Sequence, residues 1–367
     1  MHTSIRASAL GALALTIATG AFAGTIHVAA NGVDAAGCGS FAAPCRTIGR
    51  GLESARVNDT VLVRPGVYGD VDRNGTLGGV GEEIPTALGT LRIAKPVKLL
   101  STSGAATTVI IGSADLSATF EIASNGVTIG GPGEGFTIVG GRDHGVVTDN
   151  VTGMRIAGNV VTGAPFAGLF VSSSGVVEIS DNDVHGNLQA GIIAMSLLDS
   201  ARVLVRRNKV HSNGSGIVSS TFGPHEISAN EISNNAFDGI SVAFAPSLVF
   251  RNVVVGNGRG ISSGTWSPDR PPSAGPTIAR NTIIGNREVG LLVSAGPVAV
   301  KLRENNVYGN GIDPGYFANC GLANFTGMAL IATNTYWGAA TGPGADPADA
   351  TCGNDPVSTI PFATRPN

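Results

Sequence analysis

An asparagine returns eight times in one local context, at Asn159, Asn182, Asn208, Asn230, Asn252, Asn281, Asn305 and Asn334, with intervals of 22 to 29 residues. An aliphatic side chain precedes each by three residues, from Ile156 to Ile331, and another follows by two, from Val161 to Val307, with Tyr336 closing the series. A second asparagine follows five residues after the first in six copies: Asn187, Asn213, Asn235, Asn257, Asn286 and Asn310. Six copies then carry a glycine and an aliphatic, from Gly168-Leu169 to Gly290-Leu291. Self-similarity at a fixed period marks a repeat architecture, in which each unit buries its apolar face only against its neighbours.

Alternation of aliphatic and polar residues about the asparagine is strand periodicity. Asparagine tolerates the left-handed conformation at a sharp corner. Its amide both donates and accepts, so stacked copies hydrogen-bond along a column. One period therefore holds three short strands: a first before the asparagine, a second after it, and a third on the glycine-aliphatic pair. The expected fold is all-β, a right-handed parallel β-helix of about ten coils, each advancing ~4.8 Å. Earlier coils are expected at 60–68, 90–101 and 118–130. A leucine-rich repeat would need leucine-dominated positions and one strand per period. A calcium β-roll would repeat GGxGxD, and only GGPGEG (130–135) approaches it, without the aspartate.

The 53 glycines and 13% charged residues suit short strands and tight turns. A net charge of −3 with no long basic run gives no electrostatic support to a nucleic-acid partner. Residues 1–23 read as a signal peptide, with His2 and Arg6, an apolar run and Ala21-Phe22-Ala23 as the cleavage site. The run is too short to span a bilayer. A secreted or periplasmic chain without a membrane span, and a monomer, is expected. Four cysteines in an exported chain argue for disulfides. Of three possible pairings, Cys38–Cys45 and Cys320–Cys352 are expected, because each pair lies at one end of the chain. The expected organisation is an N-terminal cap with a helix (24–59), the β-helix (60–335) and a C-terminal cap (336–367).

The chain resembles the right-handed parallel β-helix proteins of the pectin-lyase-like superfamily. Residues 28–68, ending DTVLVRPGVY, look like that group's opening, in which an amphipathic helix precedes a strand; Ile48, Leu52 and Ala55 would share its inner face. NTYWGAATGPGADPADATCGND (334–355) looks like the closing cap of bacterial members. The resemblance implies a polysaccharide lyase, hydrolase or epimerase, or a non-catalytic member. It carries over no catalytic residue, since Arg142-Asp143-His144 is only a faint echo of an epimerase signature. It also implies a substrate groove along the third strands. There the outward columns from Phe170 to Leu292 and from Ser172 to Ser294 offer no charge.

Three candidate sites follow. On the second strands, Asp183, Lys209 and Glu231 form one outward column, and His185, His211 and Ser233 the next. With Arg206 and Arg207 as flanking substrate-binding residues, this patch would hold a general acid/base pair and a cation for a carboxylate substrate; a solvated ladder of ion pairs is the alternative. Asp70-Val-Asp72-Arg-Asn74-Gly75 matches the first half of a calcium loop, with Gly81 where the twelfth-position Glu belongs and Glu82 and Glu83 next; Ca2+ is the candidate cofactor, with a plain Asp/Asn/Gly turn as the alternative. Trp266, on a Pro-rich insertion, is placed to stack on a sugar ring, with a Trp tucked over the coil as the alternative. The function expected is binding or processing of an extracellular polysaccharide or cell-surface glycan, with a non-catalytic surface, adhesion or structural protein as the alternative.

Overall fold

The computed structural model describes residues 23–367 except 197, 222, 244–245, 265–273, 295–299, 314 and 316. The expected signal segment, apart from Ala23, and Trp266 lie outside the described residues.

The described chain winds through three parallel sheets of 13, 10 and 11 strands, made of the first, second and third strands of successive coils. Sheet membership follows burial. In the first sheet, Val61, Leu99, Ile129, Ile156, Ile179, Val205 and Ile227 pair in unbroken register, and the column continues through Val249, Ile278 and Leu302 to Ala332. All are buried. The second sheet repeats this from Ile110 to Val307. Each such side chain contributes roughly 1.5–3 kcal/mol on leaving water, so the core is a continuous stack that no single coil could sustain.

Two asparagine ladders flank the second sheet. In the first, each backbone N–H and side-chain amide donate to Oδ1 of the asparagine one coil on, as Asn182 does to Asn208 at 3.0 Å in both cases. The amide also reaches back to Ile156 O. The second ladder repeats the geometry from Asn187 to Asn310. The buried ladder amides are thus hydrogen-bonded from coil to coil.

Two details differ from expectation. The left-handed residue at each corner is the one before the asparagine: Asp181, Arg207, Ala229, Arg251, Arg280 and Glu304, with φ between 53° and 59°. The asparagine is needed for its side chain, which turns into the corner and hydrogen-bonds along the stack. Asn334 is also not a rung. Asn306 bridges to Tyr336, so Thr335 faces Asn305, while Asn334 takes the left-handed place of Glu304 (φ 52°) and is exposed. A one-residue slip exchanges the faces of a strand: Ile331 points out at 61% exposure, and Trp337, not Tyr336, enters the core.

The third-strand glycines have a packing reason. A Cβ on Gly239 would sit 2.9 Å from Asn257 Nδ2 and 2.7 Å from Val254 Cγ1, so ladder and glycine occupy the same space. Helix Ile48–Ser54 buries Ile48, Gly51 and Leu52 at the N-terminal end. Its first N–H groups, Ile48 and Gly49, donate to the buried Glu83 at 2.7 and 2.8 Å. Strand Thr25–Val28 joins the first sheet ahead of Thr60–Val63, and strands Ala350–Gly353 and Val357–Ser358 close the third and first sheets. The disulfides are Cys38–Cys45 and Cys320–Cys352, as expected.

Candidate functional site

Register brings the second-sheet residues together. Asp183 pairs with Lys209 and Lys209 with Glu231; His185 pairs with His211 and His211 with Ser233. With Val184, Val210 and Ile232 turned into the core, these side chains stand on the outer face. His211 Nε2 lies 3.0 Å from Asp183 Oδ1, and its Nδ1 lies 3.2 Å from Ser212 Oγ. The imidazoles of His185 and His211 stack at 5.0 Å with 15° between planes. Thr162 Oγ1 approaches His185 Nδ1 at 3.5 Å. Lys209 and Glu231 are exposed, and among the described residues neither forms an ion pair.

Arg206 and Arg207 belong elsewhere. Arg206 ends a first-sheet strand and, with Arg202, holds Glu226 Oε2 at 2.9 and 2.8 Å. Burial pushes Glu226 up, but the bonds from Arg206 and Ser228 outweigh it and leave the carboxyl below its ordinary range. Arg207, at the left-handed corner, makes a two-pronged bond to Asp181 at 2.8 and 2.9 Å, which holds that carboxyl low. Neither arginine is free for a substrate at the histidine patch.

The third sheet carries charge after all. Its outward column continues toward the N-terminus as Val147, Glu121 and Arg92, with Arg92 Nε 3.1 Å from Glu121 Oε1. Beside it His144 packs edge-on against Phe166 at 5.3 Å and against Phe170 at 5.1 Å, and burial lowers its pKa. Further along, Asp238 and Arg259 stand one residue before the glycine. Arg259 lies 2.8 Å from Asp238 and 3.9 Å from Glu288, and Ser262 donates to Asp238 at 2.5 Å. Both groups are visible once the columns are extended by two and three coils or counted from the residue before the glycine. Their charges are mutually paired.

At the N-terminal end, segment 70–88 leaves the coil between strands Gly66–Gly69 and Gly89–Ile93. With the helix and Arg92 it walls a cavity of about 630 Å³ whose lining includes Arg50, Glu53, Glu83, Ile84 and Thr86. Burial raises Glu83 to about 7. Within the segment, Asp70, Asp72 and Glu82 place carboxylate oxygens within 4.8 Å of one another. Asn74 is hydrogen-bonded within the loop. Its oxygen accepts from Thr76 N–H and Oγ1 at 2.8 and 2.7 Å, and its amide donates to Asp72. Glu82 supplies the third carboxylate.

Among the described residues no helix is long and apolar enough to cross a membrane. A family model described as a right handed beta helix region matches residues 125–269 and 198–336. No curated protein sequence matches. Among solved structures, the Dettilon tailspike protein is 15% identical over 76% of this chain and 54% of its own, with a TM-score of 0.51. XylC, solved with xylose, is 12% identical over 85% and 69%, with a TM-score of 0.50. Pectate lyase Pel9A is 16% identical over 94% and 80%, with a TM-score of 0.48. This chain spans about half the length of the tailspike chain. At these identities the likeness is one of fold.

Proposed function

The chain belongs to the right-handed β-helix family, and from that premise we propose that it is an exported protein that binds an acidic extracellular polysaccharide across its second sheet. The observation that carries this reading is Lys209. It is a cation with no ion-pair partner among the described residues, one register step from the Asp183–His211 pair and the stacked His185. A lysine already held by a carboxylate would have little to offer an anionic sugar. The disulfides fit an oxidising compartment.

Both nitrogens of His211 are engaged, by Asp183 and Ser212, and the one side-chain hydrogen bond of His185 among the described residues is Thr162 at 3.5 Å from Nδ1. A histidine held between a carboxylate and a hydroxyl can still serve as a general base, so product release, not these hydrogen bonds, separates cleavage from binding. Flat rings and hydrogen-bonding edges on regularly spaced coils suit a polymer laid along the rod. Calorimetry with polygalacturonate, alginate and a neutral xylan tests this. Binding to an acidic polymer that weakens with salt, and on the order of tenfold in Lys209→Ala, is expected. Equal affinity of wild type and Lys209→Ala would refute the site. Release of unsaturated product or reducing ends would turn the assignment toward a lyase or hydrolase.

A further inference from the structure

We propose that Asp70, Asp72 and Glu82 bind a calcium ion that fixes segment 70–88 against the N-terminal coil. Their ligand oxygens lie within 4.8 Å of one another. Asp70 is 3% exposed and Glu82 6%. Asp70 Oδ2 accepts the Gly75 N–H at 2.8 Å, but Oδ1 is buried with no hydrogen-bond partner among the described residues. Glu82 accepts from Asp72 N–H at 3.3 Å and Gly79 N–H at 2.7 Å, so each of its oxygens is aimed by a backbone donor of the loop. Among the described residues no Lys, Arg or His nitrogen lies within 4.0 Å of the three carboxylates. Three converging negative groups, two of them buried and one with an orphaned oxygen, need a positive partner. Hard oxygen donors from separated loop positions, with exposed Asp72 leaving room for water, match the irregular coordination of calcium better than the strict octahedron of magnesium.

The ion would join the two ends of the segment. Asp70 directly follows strand Gly66–Gly69, and Glu82 directly precedes Glu83, which receives the helix N–H groups and lines the cavity beside Arg92. This inference is independent of the second-sheet proposal. The test is calorimetry and thermal unfolding of EDTA-stripped protein with CaCl2 or MgCl2 alone. Saturable binding of about one calcium ion and a rise in melting temperature of several degrees are expected, with a smaller response to magnesium. The double variant Asp70→Asn/Glu82→Gln should fold, by circular dichroism, and lose both effects. The exposed single variant Asp72→Asn should weaken calcium about tenfold if the double variant does not fold. Absence of a calcium response in the wild type, or an undiminished one in either folded variant, overturns the site. A magnesium response as large as that to calcium overturns the choice of ion.

Discussion

Asn310 donates from Nδ2 to Asp349 Oδ2 at 2.8 Å, and the same carboxylate accepts the Asn310 backbone N–H at 3.2 Å. Asp349 thus stands where the second ladder would place its next asparagine. The bonds that join one rung to the next all run one way along the rod, so the last rung needs an acceptor and no donor. A carboxylate meets that need, at the cost of a buried charge.

That cost sets a pH dependence. Burial raises Asp349 to about 6, against 3.8 in an unfolded chain; the bonds from Asn310 only partly offset it. The folded state therefore favours the protonated form. Its contribution is fully present below about pH 4 and is lost as pH rises through 6, a swing of up to about 3 kcal/mol. Asp349→Asn keeps an acceptor for Asn310 without the charge. Urea unfolding should find the variant more stable than wild type at pH 7.5 and nearly equal to it at pH 4. An unchanged difference at the two pH values would contradict the assignment.

The corner residues give a backbone prediction. Ala229 is exposed and left-handed at φ 53°. That conformation costs a residue with a Cβ roughly 1–2 kcal/mol, while glycine loses some of this through its freer unfolded state. Ala229→Gly should gain about 0.5–1 kcal/mol, and Ala229→Val, β-branched, should lose more than that. Denaturant midpoints of the two variants should move in opposite directions.

Inside the third sheet the opposite change is harmful. A Cβ on Gly239 would press on Asn257 Nδ2, Val254 Cγ1 and Gly260 O, all within 2.9 Å. Two of these are core or ladder atoms and one is backbone, so none yields easily. Gly239→Ala should cost roughly 1–3 kcal/mol. Protection of the neighbouring ladder amides from hydrogen exchange should fall with it, and a variant as stable as wild type would mean the coil is looser than its packing indicates.

The pattern of inward residues was legible because burial writes itself into a chain as periodicity. Val161, Val184 and Val210 can be only on the inner face if the asparagines stack. Letters alone misplace Asn334, because register is set by pairing, and Thr335 stacks under Asn305 without resembling it. Most left-handed corners were missed because Ala229, Arg207, Arg251, Arg280 and Glu304 hold them and none of these residue types signals that conformation, Asp181 being the exception. Side-chain partners are less visible still: nothing in the order of Arg206 and Arg207 shows that one turns to Glu226 and the other to Asp181. Segment 70–88 has no repeat behind it. Its aspartates could be read from the sequence, but the approach of Glu82 to them depends on how the loop closes.

His225 contributes to the acid side of the stability curve, above the range in which Glu226 and Asp181 titrate. Its ring is buried, with Nδ1 3.1 Å from Ser219 Oγ and Nε2 without a hydrogen-bond partner among the described residues, and burial lowers its pKa to about 4. The folded state resists protonation that the unfolded chain accepts at its ordinary value of 6.5. Stability from this group is therefore complete above pH 6.5 and drains as pH falls from there toward 4, by roughly 3 kcal/mol at most. Asp349 works in the other direction over part of the same range, so the two oppose each other between pH 4 and 6. His225→Gln keeps a polar contact for Ser219 but cannot take up a proton. The variant should be no more stable than wild type at pH 7.5, yet lose less on acidification to pH 5, as read from urea midpoints at both. If wild type and variant lose the same amount, the buried histidine is not the group that titrates.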